Sequence, residues 1–455
     1  MEEIEETEEK QLRRNLKSRH IQMIALGCAI GTGLFYGASD TIATVGPGAI
    51  LSYALGGLFI YFVVRALGEM AVYHPVSASF SEYAYRYWGE FAGFFAGWNY
   101  WFLYIGVSMA ELSVIGIYVQ YWLPDLPTWI PTLILFILIT SANLMNVKCF
   151  GELEFWGSLI KVSALGLMIV FGLGLLIFGI DIEGSPSSFS NLWAHGGFLP
   201  HGIWGLLVSL VVVTFSFGGT ELIGITAGEA EDPDRTIPSA VNMTISRILI
   251  FYVGAIFVLV CLYPWDLVGS NGSPFVEIFD ALGIPAAPDI LNVVVIIAVF
   301  SAYNSCLYSN ARMLHGLALH GDAPKFLARL SKNGIPYCAV LFSSFFVSAV
   351  IAICYFLPRE AFMYIMSVVT VAVITSWIMI LVTHIKFRKY LGDEAKNLTF
   401  KMIGYPVIDY ISIAYFLTII VVMTILPSFR HAVLLAPVWF SVIAIGYRLS
   451  RKKKA

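Results

Sequence analysis

Apolar runs of roughly twenty residues recur along nearly the whole chain, separated by short polar stretches that carry most of the charge. A run of that length is what an α-helix rising ~1.5 Å per residue needs to cross a hydrocarbon layer ~30 Å thick. The pattern predicts twelve spans, at 21–44, 47–68, 92–121, 128–147, 154–180, 202–227, 243–263, 288–313, 336–357, 361–385, 405–427 and 431–449. The expected class is an all-α polytopic membrane protein. Between the second and third spans, Tyr73 to Glu90 is too polar to cross, and Phe80, Tyr83, Tyr85, Tyr87 and Trp88 suit either a helix lying at the membrane interface or an ordinary loop helix. His320 to Ile335, after the eighth span, has a similar character, and the two together hint at a duplication.

Charge adds direction to this pattern. Arg13, Arg14, Lys17 and Arg19 precede the first span, and Arg451 to Lys454 follow the last. Arg86, Lys148, Arg235, Lys325, Arg329, Lys332, Lys386, Arg388, Lys389, Lys396 and Lys401 fall in alternate loops, while the opposite loops hold only Arg359 and Arg430. By the positive-inside rule both termini are expected in the cytoplasm. The segment 1–20 lacks an apolar core and is expected to be an uncleaved tail, with 450–455 as a second tail. Composition agrees: 58% of the 455 residues are hydrophobic and 13% charged, against about 25% charged in soluble domains. The net charge of −3 is uninformative as a sum, since in a membrane protein the placement of charges matters more, and nothing points to a nucleic-acid partner. The six cysteines lack the close pairing of a metal site or a disulfide framework, and no cofactor is expected.

Two spans are interrupted. Gly31-Thr32-Gly33 breaks the first, and with Gly27 and Gly37 it admits two readings. Small residues at this spacing let helices approach closely. Unwound backbone in lipid, by contrast, survives only where protein or a water-filled cavity satisfies it, which marks a binding site. Phe215-Ser216-Phe217-Gly218-Gly219-Thr220-Glu221 breaks the sixth span, five spans later and in the opposite direction. A five-helix unit repeated upside down is the arrangement of inverted-repeat transporters, and it favours the binding reading.

Ionisable residues inside spans each need a reason, since burial in the bilayer costs ~2.5–3.5 kcal/mol on insertion scales. Arg65 and Arg312 sit near span ends and can snorkel. Lys161 lies well inside the fifth span and is either a proton carrier or cation surrogate, or a fixed ammonium bridging carbonyls at a helix break. Glu221, at the second break, either relays protons or accepts hydrogen bonds from unwound backbone. Glu111 in the third span suits pairing to another helix or proton transfer. Phe215 and Phe217 flank the second break, Tyr104 sits in mid-span, and the polar pair Tyr303-Asn304 interrupts the eighth span.

These residues sit within longer stretches that resemble a known family. Arg19-His20-Ile21-Gln22 through Ile30-Gly31-Thr32-Gly33-Leu34-Phe35, Gly46-Pro47-Gly48 and Arg65-Ala66-Leu67-Gly68-Glu69-Met70 belong to the pattern. So do Gly97-Trp98-Asn99-Tyr100-Trp101, Gly151-Glu152-Leu153-Glu154-Phe155-Trp156, Gly228-Glu229-Ala230-Glu231-Asp232-Pro233 and Ile237-Pro238. Over its whole length the chain resembles the amino acid permeases of the amino acid-polyamine-organocation superfamily. It is similar to the bacterial branch of aromatic amino acid, phenylalanine, histidine and proline permeases.

The resemblance implies a leucine-transporter-type fold. Repeat one would cover 21–180, repeat two 202–385, and two accessory helices 405–449. It implies an amino acid bound between the broken first and sixth helices. Its carboxylate would lie on the backbone amides of Gly31, Thr32 and Gly33, and its ammonium on carbonyls near Ala29, Ile30, Phe215 and Ser216, with Gly218 in the second break. That arrangement suits the partial charges at helix ends. Lys161 matches a lysine standing in the place of a sodium ion, Glu221 a coupling position, and Phe215 an aromatic gate. Tyr104, Phe217, Tyr303 and Asn304 are the expected side-chain wall. The implied function is proton-coupled import of aromatic or large neutral amino acids across a bacterial inner membrane. Proline, histidine or another neutral substrate, an exchanger, and a non-transporting sensor are alternatives, and the sequence carries no cue to oligomeric state.

Overall fold

The computed structural model describes residues 30–76, 79–145, 147–180, 187–221, 233–268, 274–276 and 286–452. In chain order its helices are α1 (Thr32–Phe35), α2 (Gly37–Val45), α3 (Ala49–Tyr73), α4 (Ser79–Tyr87), α5 (Glu90–Gln120), α6 (Trp129–Met145) and α7 (Val147–Phe178). Then come α8 (Asn191–Ala194), α9 (Gly202–Ser216), α10 (Pro233–Arg247), α11 (Gly254–Leu262) and α12 (Ala287–Leu319). The last are α13 (Tyr337–Val347), α14 (Ala349–Phe356), α15 (Ala361–Leu391), α16 (Val407–Ile425) and α17 (Pro427–Lys452). A π-helical stretch, Ile248–Val253, joins α10 to α11. The protein is an all-helical, polytopic membrane protein.

Among the described residues nine helical segments are long and apolar enough to cross a membrane, and α6 and α9 are shorter apolar helices. One of the nine runs from Gly37 to Tyr73 and joins two expected spans across Gly46-Pro47-Gly48. Splitting it there and adding the two short helices recovers the twelve-span pattern. That turn needs its glycine. Gly46 has φ +63°, a left-handed conformation, and a Cβ on it would lie 2.6 Å from Pro200 Cγ.

Burial separates a central set of helices from a peripheral one. In the most apolar window, 78% of α15 and 67% of both α5 and α12 are buried inside the protein, against 33% of α7 and α16 and 11% of α17. Apolar residues facing outward along α16 and α17, such as Leu417, Val421, Leu434 and Val438, are therefore the lipid-facing surface that a spanning helix requires.

Two expectations change. His320 to Ile335 forms only a short 3₁₀ turn at Lys325–Ala328, so it does not mirror the nine-residue α4. The aromatics of α4 also pack inward: Phe80 and Tyr83 are buried, and the Phe80 ring meets Tyr100 edge-on at 4.9 Å. Phe80 and Tyr83 thereby hold α4 on the bundle, while Trp88 is exposed. Helix ends move as well, with α10 starting at Pro233 rather than 243 and α7 at Val147 rather than 154.

Candidate functional site

The two breaks meet. Gly31 is extended (φ −138°, ψ −155°) at the start of α1, and the N–H groups of Leu34 and Phe35 both turn to its carbonyl. At the other break α9 ends at Ser216, where the helical ladder gives way to tight turns: Gly218 N–H donates to Phe215 C=O at 2.9 Å and Thr220 N–H to Phe217 C=O at 3.3 Å. Gly219 takes φ +98° there. Ser216 Oγ donates to Gly33 C=O at 2.7 Å, and Tyr252 Oη donates to Ser216 C=O at 3.3 Å. Carbonyls that a helix break leaves open are thus satisfied by side chains from the facing elements, as backbone at membrane depth requires.

Glycine is what lets the breaks touch. A Cβ on Gly33 would lie 2.5 Å from Ser216 Cα, and one on Gly37 would lie 3.0 Å from Val212 Cγ1. Gly33 and Gly37 therefore form a small-residue ridge against Val212 and Ser216, one turn apart on α9. Gly31 faces elsewhere, since its Cβ would lie 2.5 Å from Glu111 Oε1. The close-packing reading of the first break thus holds at Gly33 and Gly37, while Gly31 turns toward Glu111.

A narrow cavity opens beside this crossing. Gly31 and Gly33 line it on one side, Phe215, Ser216, Gly218 and Gly219 on a second, and Tyr104, Val107 and Glu111 of α5 on a third. Ala302, Ser305 and Cys306 of α12 close it. Glu111 is the acid of the cavity. It accepts the Thr32 N–H at 3.2 Å and Thr32 Oγ1–H at 3.0 Å. Glu221 lies just behind: its two carboxylate oxygens accept Tyr104 Oη–H at 3.1 Å and Trp377 Nε1–H at 3.2 Å. Among the described residues no group of three or more His, Cys, Asp or Glu is placed to hold a metal ion.

Several expected wall residues point away from this cavity. Phe217 is buried against Tyr252, with ring centroids 4.7 Å apart, and Tyr53 at 6.1 Å. Asn304 faces α6, where its Oδ1 accepts Asn143 Nδ2–H at 2.9 Å. Tyr303 is buried outside the cavity. On α12 the face toward the cavity is Ala302, Ser305 and Cys306, spaced three and four apart, and Tyr303 and Asn304 are centred on the neighbouring and opposite sides of the helix. Ile30 is buried but does not line the cavity, and Ala29 lies outside the described residues. Lys161 is wholly buried on α7, where its Nζ donates to Ser301 Oγ at 3.0 Å. That hydroxyl donates in turn to Glu154 Oε1 at 2.7 Å. Val107, Gly219, Ala302, Ser305 and Cys306 as lining, and Trp377 and Glu154 as partners, are absent from the sequence reading. Small and apolar residues carry no chemical signal of their own, whereas Glu154 was findable from its spacing of seven before Lys161.

A bundle of membrane-spanning helices with a cavity at the meeting point of two interrupted ones defines a polytopic membrane protein built around a small internal site. Comparison with known proteins makes this specific. Residues 20–455 match the family model described as amino acid permease, and the chain belongs to that family, within the amino acid-polyamine-organocation superfamily. It is 48% identical over 444 residues to the aromatic amino acid transport protein AroP of Escherichia coli O6:H1, covering 97% of each chain. It is 47% identical to AroP of Escherichia coli K12, covering 97% of this chain and 96% of that one. It is also 44% identical to the uncharacterized amino acid permease YtnA of Bacillus subtilis, covering 97% and 95%.

Proposed function

We propose that this chain imports aromatic or other large neutral amino acids together with a proton, by alternating access between inverted repeats at 21–180 and 202–385. Residues 405–449 would be accessory helices, and both tails would lie in the cytoplasm of a bacterial inner membrane. The observation that carries the reading is the pair of hydrogen bonds from Thr32 to Glu111. A backbone N–H at a helix start already holds a carboxylate there, which is what the carboxylate of an amino acid would need. Glu111 is thus a resident carboxylate in the expected carboxylate position.

Coupling follows from that competition. A hydrogen bond to an ionised group contributes ~1.5–3 kcal/mol and a neutral one ~0.5–1.5 kcal/mol, so protonation of Glu111 loosens its hold on Thr32. The freed amide is offered to the substrate, and proton and amino acid enter together. The substrate ammonium would turn to carbonyls near Ile30, Phe215 and Ser216, which keep a second lone pair. Tyr104, Phe215 and Val107 would take the side chain. Lys161 and Glu221 would carry or respond to the proton. The AroP relatives are named as aromatic amino acid transport proteins, which supports the aromatic assignment.

The test is uptake of labelled phenylalanine by the purified protein in liposomes under an inward proton gradient, with each of the other amino acids as competitor. Concentrative uptake, abolished by a protonophore and competed by tyrosine and tryptophan, is expected. Uptake indifferent to the protonophore removes the proton, and competition by proline or histidine alone removes the aromatic substrate.

A further inference from the structure

Glu154 stands seven positions before Lys161 on α7, so the two share a helix face, with Glu154 about 10 Å nearer the Val147 end. A hydroxyl from the neighbouring helix bridges them. Lys161 Nζ donates to Ser301 Oγ at 3.0 Å, and Ser301 Oγ donates to Glu154 Oε1 at 2.7 Å. Ser158 Oγ donates to the same oxygen at 3.1 Å, while Glu154 Oε2 is buried with no hydrogen-bond partner among the described residues. Glu154, Ser158 and Lys161 are 0% exposed and Ser301 1%. The approach depends on Gly157, where a Cβ would come within 2.9 Å of Ser301 Cβ. On the cavity side, the Lys161 ammonium lies within electrostatic reach of Glu111.

A structural salt bridge would place ammonium and carboxylate in direct contact and satisfy both carboxylate oxygens. Here Ser301 Oγ stands between the Lys161 ammonium and Glu154 Oε1. A hydroxyl held between a donor and an acceptor can pass a proton in one concerted step. The Lys161 ammonium gives a proton to Ser301 Oγ as the Ser301 hydroxyl gives its own to Glu154 Oε1. An ammonium and a carboxylate become an amine and a carboxylic acid, with no net charge moved into the membrane interior. Buried acid chains of this kind serve as relays because the neutral form costs little in a low-dielectric interior.

We propose that Glu154 is a proton station beyond Lys161, loaded through Ser301, from which the coupled proton leaves toward the Val147 end of α7. The proposal rests on the reading of the chain as a proton-coupled importer. Its test uses the full-length protein in liposomes containing a pH-sensitive dye. Phenylalanine-evoked acidification and gradient-driven accumulation are measured beside counterflow exchange, which needs no net proton movement. E154Q and S301A are expected to lose about tenfold or more of acidification and accumulation, with exchange changed by less than about twofold, and S301T, which keeps the hydroxyl, to retain all three. Three outcomes overturn the relay: accumulation by E154Q equal to the unsubstituted protein, S301T failing like S301A, or exchange falling in step with accumulation. Exchange without acidification by the unsubstituted protein instead overturns the importer reading itself, and is seen before any substitution is made.

Discussion

The main-chain N–H of Thr32 donates to the carboxylate of Glu111, a side chain 79 positions along the sequence, at 3.2 Å. In the proposed cycle this bond competes with the substrate carboxylate. Glutamine at position 111 keeps the shape and removes the charge. Replacing an ionised acceptor by a neutral one lowers the competing bond by about 1 kcal/mol, so E111Q is expected to bind phenylalanine roughly fivefold more tightly. It should also lose accumulation under a proton gradient. Equilibrium binding to purified protein, set beside liposome uptake, checks both, and weaker binding by E111Q would remove Glu111 from competition.

The two glycines flanking Thr32 are expected to fail differently. Alanine at position 33 puts a Cβ 2.5 Å from the Ser216 backbone, which cannot step aside, so G33A should cost about 1–3 kcal/mol of stability through overpacking. S216G should not rescue it. Alanine at position 31 crowds the end of the flexible Glu111 side chain and makes an ordinary contact with Ala302 Cβ at 3.4 Å. G31A should therefore fold but disturb transport. Melting temperature in detergent separates the two, and uptake alone would not.

Much of the fold was legible because its signal is long and redundant. A twenty-residue apolar run survives errors of several residues at each end, and the alternation of lysine and arginine cross-checks the count. The residues that meet at the cavity were legible where chemistry interrupts that signal, at Gly31, Gly33, Ser216 and Gly218, and at Glu111 with its partner Thr32. It was not legible where the decisive quantity is helix rotation. Tyr303 and Asn304 drew attention as polar residues, yet Ala302, Ser305 and Cys306 face the cavity. A helix buried all round has no amphipathic stripe from which its phase could be read. Contacts such as Thr32 with Glu111 depend on tertiary packing and leave no trace in spacing.

Two side chains donate to Glu221, Tyr104 through Oη and Trp377 through Nε1. Y104F and W377F each strip one from a wholly buried carboxylate, and each is expected to destabilise the protein by about 1–3 kcal/mol. Because both bonds serve one acid, their effects should not add. E221Q keeps one oxygen to accept Trp377 Nε1–H and can donate from its amide NH2 to Tyr104 Oη, which has lone pairs to accept, so it should cost less than either. Thermal unfolding of the three single variants and the Y104F/W377F double variant tests this.

On the surface the expected effects are small. Glu82 of α4 lies 3.1 Å from His320 Nε2, with side chains 28% and 43% exposed. The His320 hydrogen bond holds the Glu82 carboxyl below its usual range, against the opposing effect of burial. A carboxyl depressed by folding stabilises at pH values above its unfolded pKa, and that contribution is lost as pH falls through the folded value. E82Q should therefore cost no more than about 1 kcal/mol near pH 7. The gap from the unsubstituted protein should close below about pH 4, read as melting temperature against pH.

A buried cluster ties α3 and α15 to α16. Arg388 Nη2 donates to Glu69 Oε2 at 2.9 Å, and Arg388 Nε and the Met402 N–H also meet that carboxylate. His384 Nε2 lies 3.2 Å from Glu69 Oε1, and its Nδ1 lies 2.8 Å from Asp409 Oδ1. The ring lies between two carboxylates, hydrogen-bonded through Nδ1 to Asp409 and at ion-pair distance from Glu69 through Nε2, the setting of an imidazolium. The four groups then balance, two cations against two anions. R388M leaves an uncompensated buried negative charge and should cost about 3–5 kcal/mol. E69M/R388M removes one charge of each sign and leaves His384 facing Asp409, still balanced, so the double variant should be more stable than R388M alone. If the two changes instead simply add in a thermal-unfolding cycle, the cluster is not acting as a charge-balanced unit.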